Sequence, residues 1–204
     1  MDKTAWEDEN LCGYILRANF PPLSQSDHFH SLSHCIEQIE PQYNKLIDIG
    51  CCAAEFAEAF PKFEYCGADL PHMIEQVSKR KRPDLSYIQF HAEQENFDFC
   101  KYFDVVLMNG FLCELRDPLK ILSEVLNFSQ KYVVIHRQDL KDLSETYEKE
   151  FYDPYSGGIE AASAAINKQD FYDLLKDKGF KIKTEVQSYV GLQDRKSILL
   201  VKND

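Results

Sequence analysis

The stretch from Lys45 to Phe60, KLIDIGCCAAEFAEAF, combines an apolar strand, a tight turn and a helix. It is apolar at Leu46, Ile47 and Ile49, Gly50 marks the turn, and the alanine-rich remainder favours a helix. A strand that ends in such a turn leaves free backbone N–H groups at the start of the following helix. In open α/β sheets, nucleotide-like ligands bind at this position. The stretch therefore predicts an α/β sheet with a ligand site at the Gly50 turn.

The rest of the chain continues the alternation of strands and helices. Apolar runs predict strands over 46–49, 63–70, 85–90, 103–108, 132–135, 181–189 and 197–202. Helices are predicted from Ser24 or Ser26 to about Glu40, and over 71–81, 118–128, 141–151 and 169–178. Repeated strand–helix units form a parallel sheet with helices on both faces. The predicted fold class is thus α/β, a doubly wound, mostly parallel sheet of seven strands that ends in a C-terminal antiparallel hairpin.

The length of 204 residues favours one globular unit. Within that unit, Phe20-Pro21-Pro22 interrupts any early helix, so we interpret residues 1–41 as an N-terminal arm and helix that cover the site. Residues 42–204 are then the main domain. The loop over 153–158 and the side chains of Tyr152 and Tyr155 are interpreted either as a cover for a substrate, with Gly157-Gly158 as its hinge, or as a plain surface loop.

The composition excludes several classes of protein. The formal net charge of -11 argues against a nucleic-acid partner, because binding to a phosphate backbone needs clustered Lys and Arg. The basic run over 79–82 ends a predicted helix and is interpreted as a solvated helix terminus, with an anionic partner as the alternative. No apolar run is long enough for a membrane span, and the acidic start MDKTAWEDEN does not resemble a signal peptide. We therefore expect a cytoplasmic protein.

Cysteines and histidines do not form a metal motif in the sequence. Seven cysteines without regular spacing and without a CxxC pair predict reduced thiols rather than a disulfide framework or a zinc site. His30 and His34 have the i, i+4 spacing of metal ligands, yet no acidic or sulfur partner completes the set, so we expect no metal.

Four motifs follow one another along the predicted strands: Asp48-Ile49-Gly50-Cys51, Asp69 at the end of the next strand, His91-Ala92-Glu93 after the third, and Phe103-Asp104-Val105-Val106 followed by Asn109-Gly110. In these motifs and their order, the chain over residues 42–204 resembles the class I S-adenosylmethionine-dependent methyltransferases, which have a Rossmann-like fold; the resemblance implies that this segment is the catalytic domain. A weaker likeness, at 68–71 (ADLP) and 132–137 (YVVIHR), is to a branch of bacterial small-molecule methyltransferases of uncharacterised substrate.

The resemblance implies S-adenosylmethionine as the cofactor and assigns its contacts. Asp69 would accept hydrogen bonds from the ribose hydroxyls, and Leu70 would pack on the adenine. His91 stands where the family binds the adenine amino group, with Glu93 as a substitute. Asn109 and Gly110 would face the methionine part and the acceptor. The implied cofactor-binding residues are Asp48, Gly50, Cys51, Cys52, Asp69, Leu70, His91, Ala92, Glu93, Asn109 and Gly110.

The chain departs from the family at two positions of the Gly50 turn. The family's second and third glycines are Cys52 and Ala54 here, and a side chain costs energy wherever φ must be positive. A non-catalytic, methyltransferase-like interaction module is therefore an alternative function. A third hypothesis is an NAD-type oxidoreductase that shares the strand–turn–helix, although the missing glycines and the C-terminal hairpin argue against it.

The leading function is methyl transfer to a small-molecule acceptor, with O-methylation slightly preferred over N-methylation. A hydroxyl acceptor needs a base, and the candidate is His136 at the carboxyl end of the fifth strand. His28 and His30 of the N-terminal segment are the rival candidates, and a plain loop residue is the other interpretation of His136. Arg137, next to His136, would bind an anionic acceptor.

Overall fold

A mixed sheet lies at the centre of the chain. The computed structural model describes residue 6 and residues 9–18, 21–144, 147–153 and 159–203. Residues 9–10, 147–153 and 159–163 are described by their backbone alone. Its strands are β1 (Lys45–Ile49), β2 (Glu64–Asp69), β3 (Ser86–Gln89), β4 (Val105–Asn109), β5 (Tyr132–Lys141), β6 (Tyr147–Asp153), β7 (Ile159–Asn167), β8 (Phe180–Tyr189) and β9 (Leu192–Lys202). Its α-helices are α1 (Glu9–Arg17), α2 (Phe29–Glu37), α3 (Glu55–Ala59), α4 (Pro71–Met73), α5 (Lys79–Lys81), α6 (Pro118–Phe128) and α7 (Lys168–Asp177). A π-helical turn, Ile74–Ser78, joins α4 to α5.

Six strands of the sheet have parallel pairing: β3-β2-β1-β4-β5 lie side by side in that order, and β7 pairs parallel with the end of β5. Strand β9 pairs antiparallel with the other edge of β5, and β8 pairs antiparallel with β9. All seven predicted strands are present, so the mostly parallel sheet with a C-terminal antiparallel hairpin is confirmed.

Both faces of the sheet are buried, as the nearly continuous apolar strands require. Along β4, Val106 and Met108 lie in one hydrophobic cluster, whereas Val105 and Leu107 lie in the other, because successive side chains point to opposite faces. Helices α6 and α7 cover the first face through residues that include Leu122 and Phe171, and α2 and α3 cover the second face through residues that include Ile36 and Phe56.

The register brings the ends of the parallel strands together. Ile49 at the end of β1 pairs with Ala68 of β2 and with Met108 of β4, and Asn109 pairs with His136 of β5. The residues that follow these positions therefore lie along one edge of the sheet, which is where open α/β sheets bind ligands.

The predicted helix over 141–151 is wrong. Strand β5 extends to Lys141, and residues 147–153 form β6, which pairs antiparallel with β7. The last residues of β7 pair with Asp139–Lys141 at the end of β5, so β7 continues the sheet beyond the end of β4. Gln138 Nε2 of β5 also donates to the carbonyl oxygen of Ala164 in β7 at 3.0 Å. The sheet therefore has nine strands in the described part of the chain instead of seven.

The N-terminal segment contains more helix than predicted in one place and less in another. Helix α1 was not predicted; its side chains Leu11, Cys12 and Ile15 pack against Met73 and Val77. Helix α2 begins at Phe29, later than the predicted Ser24 or Ser26, and it is preceded by a 3-10 turn, Leu23–Gln25. None of the helices described is long and apolar enough to span a membrane.

Candidate functional site

A cavity of about 580 Å³ opens at the carboxyl edge of the parallel strands. Its wall combines the turn after β1, the ends of β2, β3 and β4, and the N-terminal segment. Twelve of the thirteen predicted site residues line it: Asp48, Gly50, Cys51, Cys52, Asp69, Leu70, His91, Ala92, Glu93, Asn109, Gly110 and Arg137. The remaining one, His136, lies behind the wall.

The turn after β1 has the backbone of a glycine-rich turn although Gly50 is its single glycine. Gly50 has φ +74°, and Cys52 and Ala54 also lie in the left-handed region, with φ +46° and +57°. A Cβ on Gly50 would come within 2.6 Å of Phe111 Cδ2, so glycine is needed there for space as well as for conformation. The side chains of Cys52 and Ala54 thus do not prevent the glycine-type path of the turn; they make it more strained.

The Asp69 carboxylate is held against this turn. Its Oδ2 accepts a hydrogen bond from the backbone N–H of Cys52 at 2.8 Å, and its Oδ1 accepts one from the N–H of Leu70 at 2.7 Å. The side chain is half-buried at the cavity wall, and burial raises its pKa. Each carboxylate oxygen can accept a second hydrogen bond, so the group can bind a ligand diol without losing its backbone partners.

Asp48 has one oxygen without a partner among the described residues. Its side chain lines the cavity and is only 3% exposed, and Tyr65 donates its hydroxyl to Oδ2 at 2.8 Å. Its Oδ1 is buried and lacks any hydrogen bond within the described part of the chain. Burial raises the pKa of Asp48 to about 7. Since a buried oxygen without a donor is costly, a ligand that brings an N–H group to Oδ1 would be stabilised.

Together these features fit S-adenosylmethionine, which has a ribose diol, an ammonium group and an adenine. Asp69 has the acceptor capacity for the diol and Asp48 has an acceptor for the ammonium. At the end of β3, His91, Ala92 and Glu93 line the cavity on the side predicted for the adenine, where the backbone N–H of His91 donates to Glu95 Oε1 at 2.9 Å.

Two of the three histidines proposed as bases from the sequence are in direct contact with each other. His136 Nε2 lies 2.8 Å from His28 Nδ1, although the two residues are 108 positions apart. His136 is 1% exposed and lies beneath His28, which lines the cavity. His30 is exposed on α2, with its Nδ1 at 3.1 Å from the carbonyl oxygen of Asp27. The histidine at the wall of the cavity is therefore His28 rather than His136.

Arg137 reaches the cavity through an irregularity in the sheet. The pairing of β5 with β9 shifts register between Ile135 and Gln138, and Arg137 there has φ +63°. Its Nε donates to Asn109 Oδ1 at 3.1 Å, and its guanidinium lies so close to Gly110 that a Cβ there would be 2.3 Å from one nitrogen. Within the described residues no carboxylate forms an ion pair with this guanidinium. A strained, half-buried cation at a cavity wall is a typical feature of a binding site.

Sequence reasoning missed other residues of the cavity wall. Trp6, Tyr14 and Ile15 of the N-terminal segment and Phe111 and Glu114 after β4 also line it. Phe111 and Glu114 lie within four residues of Gly110, so their proximity in sequence was a usable signal, whereas the N-terminal side chains depend on how α1 packs. Of the predicted covering loop, 154–158 lies outside the described residues, and Tyr152 is described only by its backbone in β6.

Comparison with known proteins establishes the fold and gives one match to a domain model. A family model described as a methyltransferase domain matches residues 47–131. A search of curated proteins found no match. Among solved structures, the chain is similar to the CcbJ methyltransferase from Streptomyces caelestis, with a TM-score of 0.68 and 8% identity over 100% of both chains. It is also similar to an amino pentose methyltransferase from Micromonospora echinaspora with S-adenosylmethionine bound, with a TM-score of 0.64 and 12% identity over 88% of this chain and 92% of that one.

A third similar structure is the magnesium protoporphyrin IX methyltransferase from Synechocystis PCC 6803 with bound S-adenosylhomocysteine. Its TM-score is 0.61 at 10% identity, over 95% of this chain and 93% of that one. At these identities the likenesses establish the fold, and the family model identifies the segment that contains the Gly50 turn, Asp69 and Asn109. Residues 47–131 therefore match a methyltransferase domain model, within a chain that has the Rossmann-like fold of the S-adenosylmethionine-dependent methyltransferases.

Proposed function

We propose that the protein transfers a methyl group from S-adenosylmethionine to a hydroxyl oxygen of a small-molecule acceptor. The observation that carries this proposal is the composition of the cavity: it unites Asp48 and Asp69, which suit the cofactor, with His28, which suits the removal of a proton. S-adenosylmethionine supplies an electrophilic methyl group, so the protein's part is to position the acceptor, exclude water and accept a proton.

The size and charge of the cavity support a small acceptor. A volume of about 580 Å³ is in the range of small-molecule sites. The acidic net charge of -11 disfavours a nucleic acid. Two of the similar structures bear names that specify small acceptors, an amino pentose and magnesium protoporphyrin IX.

Arg137 supports an acceptor that bears an anionic group. Its guanidinium is held by Asn109, which leaves other N–H donors for a carboxylate or phosphate on the acceptor. On this proposal the N-terminal segment of residues 1–41 forms the cover of the site, which is supported by Trp6, Tyr14 and Ile15, since all three line the cavity.

The conformation of the Gly50 turn argues against the alternative of a non-catalytic module. A chain that had lost cofactor binding would have no need to keep Cys52 and Ala54 at positive φ, at a cost of roughly 1 kcal/mol or more for each residue. Asp69 is still oriented by two backbone N–H groups beside that turn.

Titration with S-adenosylhomocysteine in a thermal-shift assay tests the proposal. At about 100 times the dissociation constant, binding adds about 2.7 kcal/mol to the free energy of unfolding and should raise Tm by several degrees. We expect Asp69→Ala to abolish the shift, whereas Asp84→Ala, which changes an exposed aspartate paired with Arg82, should leave it intact. No shift in the wild-type protein at millimolar ligand, or a shift with reduced nicotinamide dinucleotide instead, would refute the proposal.

A further inference from the structure

A chain of buried polar groups leads from the cavity into the protein behind His28. His28 Nδ1 lies 2.8 Å from His136 Nε2, and His136 Nδ1 lies 2.6 Å from Ser197 Oγ. Ser197 Oγ in turn lies 2.9 Å from Ser31 Oγ and 2.8 Å from Ser188 Oγ. Of these five side chains only that of His28 reaches the cavity; the other four are buried between α2 and strands β5, β8 and β9. Because these four side chains are buried, their hydrogen bonds are made within the protein.

The serine hydroxyls determine the direction of these hydrogen bonds. Ser31 donates its single hydroxyl proton to the backbone carbonyl oxygen of His28 at 2.8 Å. Ser31 Oγ therefore accepts from Ser197, which uses the only proton that Ser197 has. Ser197 Oγ can then only accept from His136 Nδ1, and its second lone pair accepts from Ser188.

This direction fixes the tautomers of both histidines. His136 carries its proton on Nδ1, so its Nε2 is an acceptor, and the contact at 2.8 Å requires His28 to donate from Nδ1. Ser26 does not compete, because its hydroxyl donates to the carbonyl oxygen of Leu23 at 2.7 Å. A neutral His28 with its proton on Nδ1 has a lone pair on Nε2, for which the described residues offer no hydrogen-bond donor.

We propose that His28 Nε2 is the general base of the reaction and that His136 and Ser197 are positioning residues that hold it in this tautomer. The inference rests on the proposed function, methyl transfer to a hydroxyl. The acceptor's O–H bond breaks and its proton goes to His28 Nε2. The acceptor oxygen bonds to the methyl carbon, while the methyl carbon–sulfur bond breaks and its electron pair leaves on the sulfur of S-adenosylhomocysteine. His28 then carries the positive charge and still donates from Nδ1 to His136, which remains neutral.

The charges around His28 keep it unprotonated before the reaction. Burial lowers the pKa of His28 to about 4, and the Arg137 guanidinium contributes to the decrease, as does His30, while Asp27 opposes it. Burial also lowers the pKa of His136 well below its usual range. Tyr189 packs edge-on against the His28 ring at 5.3 Å between centroids and adds no charge. An anionic acceptor group on Arg137 would offset the contribution of that cation and make His28 a stronger base once the acceptor is bound.

Nuclear magnetic resonance of the histidine rings tests the proposal without cofactor or acceptor. In ¹⁵N-labelled protein at pH 7, long-range ¹H–¹⁵N correlations distinguish the two neutral tautomers. We expect His28 and His136 both to carry the proton on Nδ1, with His28→Asn and His136→Asn used for assignment. Ser197→Ala should release His136 from the fixed tautomer, whereas the matched variant Ser188→Ala should leave both histidines unchanged, because Ser188 only donates to Ser197.

A proton on Nε2 of either histidine in the wild-type protein would overturn the proposal, as would a Ser188→Ala effect equal to that of Ser197→Ala. A second readout is the reaction of the wild-type protein with diethyl pyrocarbonate, which modifies unprotonated imidazole. His28 should react at a rate that is constant from pH 8 to about pH 5, and His136 should be protected; modification of His136 before His28 would contradict the assignment. These outcomes are independent of S-adenosylhomocysteine binding, so failure of the base and failure of the methyltransferase function are distinguishable.

Discussion

Cys52 occupies a left-handed backbone position that favours glycine, and this makes a prediction about stability. At ordinary positions alanine is more stable than glycine by about 0.5–1 kcal/mol, because glycine loses more backbone entropy on folding. At φ +46° the order should reverse, since a Cβ in the left-handed region costs roughly 1–2 kcal/mol. We expect Cys52→Gly to be more stable than Cys52→Ala by about 0.5–1 kcal/mol in urea denaturation. Both variants lose the thiol, so the comparison isolates the backbone; equal stability or the opposite order would show that the turn is unstrained.

Asp48 predicts a dependence of stability on pH. Burial raises its pKa in the folded protein to about 7, from an ordinary value of 3.8, so the native state binds the proton more tightly than the unfolded state. The free energy of unfolding therefore loses a contribution as pH rises from about 4 to about 7, and that loss is complete above the folded pKa. Asp48→Asn should remove this dependence while it keeps an acceptor for the Tyr65 hydroxyl.

The measurement is urea denaturation of the wild-type protein and Asp48→Asn at pH 5 and pH 8. From pH 5 to pH 8 we expect the free energy of unfolding of the variant to rise relative to that of the wild type by at least about 1 kcal/mol, since each pKa unit corresponds to about 1.4 kcal/mol. A difference between the proteins that is the same at both pH values would contradict the raised pKa. Asp104→Asn is the control, because Asp104 accepts hydrogen bonds from the backbone N–H groups of Asn44 and Lys45 at the start of β1 rather than lying at the cavity.

Among the elements, α6 begins with a side-chain cap whose strength is measurable. Asp117 precedes the helix, and its Oδ1 accepts the backbone N–H of Lys120 at 3.0 Å, with Pro118 in the first turn. We expect Asp117→Ala to lower the free energy of unfolding by about 1 kcal/mol, because the N–H loses its acceptor. Asp117→Asn retains an acceptor and should remain within a few tenths of a kcal/mol of the wild type. If the free energy of unfolding falls equally in both variants, the charge of Asp117 rather than its hydrogen bond stabilises the helix.

The elements whose sequences agree with their environment were predictable. Helix α6 was predicted with its observed bounds because Asp117-Pro118 signals its start and its apolar residues repeat at helical spacing. The parallel strands were predicted because burial on both faces leaves an apolar run. Strands β6 and β7 were not predicted. For β7, the run AASAAIN over 161–167 has little intrinsic preference for a strand. It forms one because it pairs with the end of β5.

The site was predictable where it lies at the ends of strands. Asp69 and Asn109 end apolar strands, and the register of a parallel sheet brings such positions to one edge. The contact of His28 with His136 was not predictable, because it depends on how α2 packs across β5 and β9 and no local pattern encodes that distance. The unpaired oxygen of Asp48 was not predictable either, because it depends on the burial of that side chain in the folded structure.

At the scale of the whole molecule, the N-terminal segment contributes side chains to the cavity wall and provides a reporter of ligand binding. The chain has a single tryptophan, Trp6, and its side chain lines the cavity. Its backbone carbonyl oxygen lies 2.8 Å from Nε2 of His72, a residue of α4, which begins two residues after the end of β2. A ligand that contacts the Gly50 turn and Leu70 should therefore change the environment of the indole.

We expect S-adenosylhomocysteine to change the tryptophan fluorescence of the wild-type protein in a saturable titration. Because the chain contains no other tryptophan, the whole signal reports the contact between the N-terminal segment and the ligand site. The control is Trp6→Phe, which keeps an aromatic side chain at the wall: it should lose the fluorescence signal while a thermal shift with the same ligand persists. A wild-type protein that shows the thermal shift without any change in fluorescence would mean that the N-terminal segment does not cover the bound cofactor, and the assignment of residues 1–41 as the cover of the site would then be wrong.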